Sequence, residues 1–351
     1  MNAERAIVKT GSTTNCFNRA VLAATRRQAL PIAVYPGLAL TGAKVSDIVT
    51  NPVAQVEAQA ALHERYRTSF VLSAMDLSAE AEAFGSAIRF SEGEVPTVTG
   101  RLVTDLAGVE RLAVPQPGDK RTAVSLEAVR GLRGLSGRPL VLGGCIGPFS
   151  LAARLIGVSE AMELTVTEPE LMHALLAKSA AFLGAYVRAL RDAGADGAIM
   201  AEPAAGLLSP NALGAFSSAY IKPIGESVAD GHFALILHNC AAKLPHLSAV
   251  LASGLRSFHF GAPMDLAAAL TKLPSDVVLC GNLDPAGVFC QCSPEQIRVT
   301  AADLLAKTSS FSNFVISSGC DLPPGVKLEN LDAFYDAVAV QSASPTAAKL
   351  N

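Results

Sequence analysis

His238 and Cys240, at the end of FALILHNC (233–240), put an imidazole and a thiol two positions apart where an apolar run stops. A second apolar run, NFVISSGCDLPPG (313–325), leads into Cys320. Residues two apart on a strand face the same side, so one backbone segment can present both side chains to one metal ion. One imidazole nitrogen with two thiolates is a zinc set of the catalytic kind, whose fourth position stays open for water, substrate or a weak extra ligand. Sulfur ligands disfavour magnesium and calcium. His-x-Cys alone is a weak signal. The competing reading is a pair of packed core thiols and a histidine bonded to backbone.

Other residues of chemical interest also follow apolar runs. Glu202, in AEPAAGLLSP, is a candidate catalytic base or fourth ligand, or else a carboxylate capping a turn. Tyr35, Asp76, Asn282 and Asp284 are candidates to bind a cofactor or substrate. Asp76 also suits a helix cap, and Asn282 and Asp284 suit a turn. Cys145 lies where it would line the same pocket. Cys290 and Cys292 precede a capped helix and lack further ligands nearby. His259 and Asp321 also follow apolar runs, but the pattern alone assigns them no role.

These residues need a scaffold that gathers strand ends. Eight nearly continuous apolar runs occur, at 29–37, 69–76, 138–148, 196–203, 233–240, 255–263, 276–285 and 313–324. Each is followed by Gly, Pro, Asn or Asp, as expected of parallel strands buried on both faces. Helical patterns lie between them: 52–66, 167–194 opening on Thr167 and Glu170, 241–254, 293–307 opening on a Ser293–Gln296 capping box, and 328–340. Eight strands alternating with helices predict a (β/α)8 TIM barrel in one domain, with function at the carboxyl ends of the strands. Residues 1–28 form an N-terminal extension to it. The connection 77–137 is too long for one helix, and EVPTVTGRLVTDL (94–106) predicts an inserted β-hairpin after the second strand.

The bulk composition narrows the partners. The chain has 351 residues, half of them hydrophobic, and a net charge of −3 with no basic stripe, so nucleic acid is not expected. Seven cysteines in a chain of this kind do not read as a disulfide framework. The start lacks the apolar core of a secretory signal, and the longest uncharged run, 203–221, is broken by prolines and serines. The expectation is a soluble, cytoplasmic protein without a membrane span.

With HNC at 238–240, EP at 202–203, GNLDP at 281–285 and SSGCDLPPG at 317–325 followed by LEN, the chain resembles the uroporphyrinogen decarboxylase superfamily. The nearest likeness is to the zinc-dependent methylcobalamin:coenzyme M methyltransferases, from about residue 15 to residue 342. The resemblance implies that His238, Cys240 and Cys320 hold zinc. It further implies that a thiol bound there takes the methyl group of methylcobalamin, with Glu202 as fourth ligand or proton acceptor. Decarboxylases of the superfamily carry an M-R-Q-A-G-R motif for substrate carboxylates, which ATRRQALP (24–31) echoes only loosely. The D-x-H-x-x-G pattern of corrinoid carriers is absent, so the cobalamin is expected on a partner corrinoid protein or free in solution. Transfer to tetrahydrofolate and a decarboxylase-type lyase are the alternatives.

Overall fold

A computed structural model describes residues 14–343. Its centre is a seven-stranded, wholly parallel sheet. The strands are β1 (Phe70–Leu72), β4 (Leu140–Ile146), β5 (Gly197–Ala201), β6 (Ala234–Asn239), β7 (Ser257–Phe260), β8 (Val278–Leu283) and β9 (Phe314–Ser318). They pair in that order. Between β1 and β4 a small antiparallel hairpin, β2 (Ala87–Arg89) with β3 (Thr97–Thr99), supplies the predicted insertion.

The first of the eight expected strands is reduced to a single bridge. Leu30 N–H donates to Ile316 O at 2.9 Å and Ile316 N–H to Gln28 O at 3.1 Å, which fastens the segment to β9. Pro31 lacks an N–H, so the segment cannot extend a ladder, and by Tyr35 it has coiled into a helical turn. On the β1 side a side chain replaces the missing ladder. The Gln59 amide donates to Ala33 O at 2.6 Å and accepts from Leu72 N–H at 2.8 Å, closing the curl between this segment and β1.

Two apolar layers follow from strand parity. Leu142, Ile199, Ile236, Val278 and Val315 point inward into one buried cluster. Their neighbours Val141, Met200, Leu237, Leu279 and Ile316 point outward, against the helices. Helix Cys16–Ala23 lies under the amino ends of the strands, where the Asn18 amide donates to Arg256 O and Asp276 O at 2.8 and 3.0 Å.

Helix boundaries follow local chemistry. Pro52–Tyr66 starts on an Asn51 cap with proline at its first position, and Pro294–Lys307 carries the expected Ser293–Gln296 box. The 167–194 pattern divides differently from expectation. Thr167 closes helix Val158–Thr167, and Glu168 leaves helical geometry before Pro169 begins the helix to Asp192. Proline restricts the residue before it, which favours a break there over the Thr167 cap. No helix among the described residues is long and apolar enough to cross a membrane.

The Gln59 bridge gives a test. Gln59→Leu leaves a buried carbonyl and a buried N–H unpaired, so urea unfolding is expected to show a loss of about 2–5 kcal/mol. A loss under about 0.5 kcal/mol would mean the seam closes without it.

Candidate metal centre

The mouth is built by adjacent strands in register. His238 on β6 stands beside His259 on β7, and Ala201 on β5 beside His238. Ala234 and Ile236 face the barrel interior, so His238, at the same parity, does too. Beyond the strand, Asn239 Oδ1 accepts from the backbone N–H groups of Ala241 and Ala242, at 3.2 and 2.9 Å, and fixes the turn that carries Cys240. Gly261 lies so close to the Cys240 backbone that a Cβ there would overlap it. Across the mouth, Gly319 fits between Ala262 N and the carbonyls of Asn282 and Leu283, and this close passage turns Cys320 back toward β6.

The side chains converge. The ligand atoms of His238, Cys240 and Cys320 all lie within 4.8 Å of one another, the one such metal-capable group among the described residues. His238 is buried, and its Nε2 has no hydrogen-bond partner. Its Nδ1 lies 2.8 Å from Nδ1 of His259, whose Nε2 is 2.7 Å from Ser317 Oγ. Ser317 Oγ in turn donates to Leu30 O. A buried imidazole nitrogen without a partner, on a ring clustered with two thiols, fits a metal ligand and is costly otherwise.

The thiols are coupled. They hydrogen-bond each other, which pulls Cys240 down to about 7 and, together with burial, pushes Cys320 up to about 12. One thiolate is therefore accessible near neutral pH because the remaining S–H stabilises it. Burial beside His238 holds His259 well below its usual value, so that ring stays neutral.

Glu202 does not join this group. It follows Ala201, which shares a face with His238, so parity sends the carboxylate to the opposite side of the sheet. There its oxygens accept from Phe149 N–H (2.9 Å), Ser150 N–H (2.9 Å), Ser150 Oγ (2.7 Å) and Ser217 Oγ (3.2 Å), capping helix Pro148–Ile156. Burial raises it to about 7 despite these four donors. Cys145 takes the same outward parity and packs in the outer core instead of lining the mouth.

The other candidates divide. Asp76 is held by Arg121, whose Nε also reaches Glu82 at 2.5 Å, and accepts from Ser78 N–H at 2.9 Å. Asn282 braces the loop after β7 by donating to Gly261 O and Met264 O, at 2.9 and 2.7 Å. Asp284 is exposed and caps the turn at Ala286 and Gly287. Tyr35 differs, because its buried hydroxyl has no partner. Asp321, next to Cys320, also carries a buried oxygen without a partner. Ser317 is missing from the sequence candidates, and His259 and Asp321, though noted at strand ends, carried no assigned role there. The matching placement of FALILHNC and RSFHFGAP, each with a histidine near the strand end, was the available signal for His259.

Comparison with known proteins places this geometry in a family. The family model described as uroporphyrinogen decarboxylase (URO-D) matches residues 21–340. A uroporphyrinogen decarboxylase of Ectopseudomonas mendocina is 29% identical over 324 residues, covering 88% of this chain and 90% of its own. One of Alkalilimnicola ehrlichii is 31% identical over 273 residues, covering 75% and 74%. Among solved structures, a methyltransferase from Methanosarcina mazei superposes with a TM-score of 0.84 at 23% identity, over 95% of this chain and 99% of that one.

Glu202→Gln sets an amide donor against the donors of the helix end, and thermal or urea unfolding is expected to register about 1–3 kcal/mol of destabilisation. The wild-type group keeps its proton to about 7 when folded, against 4.5 unfolded. Wild-type stability therefore falls as pH rises through that window, and the gap to the variant narrows. A gap that widens with rising pH would contradict the assignment.

Proposed function

The chain belongs to the uroporphyrinogen decarboxylase family, and within it we propose a zinc-dependent methyltransferase that moves the methyl group of methylcobalamin to a small thiol such as coenzyme M. The methylcobalamin would be carried by a separate corrinoid protein. The observation that carries this reading is the convergence of the ligand atoms of His238, Cys240 and Cys320 within 4.8 Å, with His238 Nε2 buried and without a hydrogen-bond partner. The likeness to a methyltransferase in fold supports it.

His238 Nε2, Cys240 Sγ and Cys320 Sγ would hold the ion. Zinc bound there supplies an open position at which a thiol loses its proton near neutral pH. The protein's own groups do the rest. Cys240 gives up its proton readily because Cys320 donates to it. The strand-end turns at Asn239 and Gly319 bring both sulfurs together. Glu202, facing the helices, leaves the fourth position to the substrate sulfur. The unpartnered Tyr35 hydroxyl and Asp321 oxygen are the groups free to meet a substrate's polar end.

The curated relatives' name favours a second reading, a decarboxylase acting on a polycarboxylate. Its substrate would need cationic groups at the mouth. Arg27 instead donates to Phe311 O and Phe314 O, at 2.7 and 2.9 Å, beside the amino end of β9. Arg121 is neutralised by Asp76 and Glu82. Both facts weigh toward the methyltransferase.

Metal analysis of protein purified without chelator is expected to find about one zinc per chain. Cys240→Ala and Cys320→Ala should each lose most of it, and lose thiol-dependent demethylation of methylcobalamin by more than about 100-fold. Metal-free wild type that also fails to take up zinc would sink the reading. Demethylation by tetrahydrofolate but not by thiols would redirect it. Because zinc must displace the Cys320 proton throughout, its affinity should fall with falling pH, and more steeply below about 7, where Cys240 is protonated as well. Chelator competition at several pH values measures this, and a flat profile from pH 8 to 5.5 would count against thiolate ligation.

A further inference from the structure

We infer that His259 is a positioning residue whose hydrogen bonds, continued through Ser317 to the carbonyl of Leu30, fix which ring nitrogen of His238 is free to bind metal. The inference rests on the zinc reading of the same site and adds to it the device that prepares the ligand before any metal arrives.

The direction of the chain follows from counting protons. Leu30 O can only accept, so the single hydroxyl proton of Ser317 points to it. Ser317 Oγ therefore accepts from His259, and because a fully buried ring bonded only to His238 and Ser317 has no acid to balance a charge, its one proton sits on Nε2. Nδ1 of His259 is then a bare lone pair, 2.8 Å from Nδ1 of His238. Two lone pairs cannot face each other at that distance, so His238 carries its proton on Nδ1. Its Nε2 lone pair is left without a partner, and with Nδ1 taken by His259 it is the nitrogen left to join Cys240 and Cys320. Reversing the relay would need a second proton on the Ser317 hydroxyl or would leave Leu30 O unpaired.

Every member sits where it cannot exchange partners with water. His259 and Ser317 are fully buried and His238 nearly so. The two histidine rings meet nearly edge-on, 4.6 Å between centroids and 76° between planes, so His259 fixes the orientation of the His238 ring as well as its tautomer. The anchor is the segment that replaces the first barrel strand. Ser318 Oγ accepts from Ile32 N–H at 2.9 Å and Leu322 N–H donates to Ile32 O at 2.8 Å, clamping that segment to the end of β9. The irregular strand thus has a function that a regular ladder would not serve, because it brings the Leu30 carbonyl to Ser317.

The test uses full-length protein, with zinc alone as the probe. Long-range nitrogen-15 NMR of the metal-free wild type is expected to show His238 protonated on Nδ1 and His259 on Nε2. Competition with a chromophoric chelator is expected to show His259→Phe binding zinc about 10–100-fold more weakly. His259→Gln, whose carbonyl can accept from His238 while its amide donates to Ser317, should recover most of that loss. Ser317→Ala keeps both rings but removes the acceptor. It should give a mixed His238 tautomer and weaker zinc binding, and it keeps the inference testable should the phenylalanine variant fail to fold. Wild-type His238 protonated on Nε2, or zinc affinity unchanged in both His259→Phe and Ser317→Ala, would overturn it. The tautomer is read without metal, so a wild type that binds no zinc defeats the functional reading and leaves this result separately legible.

Discussion

In a curled parallel sheet, parity along each strand decides whether a side chain faces the barrel axis or the surrounding helices. Neighbouring strands in register share that parity, and the mouth of this barrel is its direct product. Ala201, His238 and His259 are in register from β5 to β7, which puts two imidazoles side by side on the inner face. Moving one position along exchanges the environment entirely. Glu202, one residue past Ala201, sits in the outer layer and holds a helix end with four hydrogen bonds. The same rule separates Cys145, packed outward, from the ligand candidates.

Burial then gives the inner face its chemistry. A buried imidazole nitrogen without a partner and two half-buried thiols are each unfavourable alone. Together they form a set whose desolvation a divalent ion can offset, with two thiolates balancing its charge. The coupled thiols, one pulled down and one pushed up, behave as a pair sharing a proton. Arg121 is already matched by two carboxylates, Asp76 and Glu82.

Much of this was legible in the sequence, for reasons that can be named. His238, Cys240 and Cys320 were visible because each follows an apolar run, and such runs end at the functional face of a barrel. The Ser293–Gln296 box and the Asn51–Pro52 start encode their helices locally. The first strand was misjudged because apolar composition does not reveal that Pro31 interrupts the ladder and that Gln59, distant in sequence, closes the gap. Glu202 needed strand register, which one sequence does not specify to the residue. His259 was visible at a strand end but had no role, because its importance lies in hydrogen bonds to His238 and Ser317 that only the folded chain makes.

The central claim is that a metal at this site is bound through sulfur and nitrogen and accepts a thiol. X-ray absorption at the zinc edge tests it directly, on wild type with and without a small thiol. The account predicts a shell with two sulfurs near 2.3 Å and a nitrogen near 2.0 Å, gaining one sulfur when the thiol is added. A shell of oxygen and nitrogen alone, or one unchanged by thiol, would contradict it.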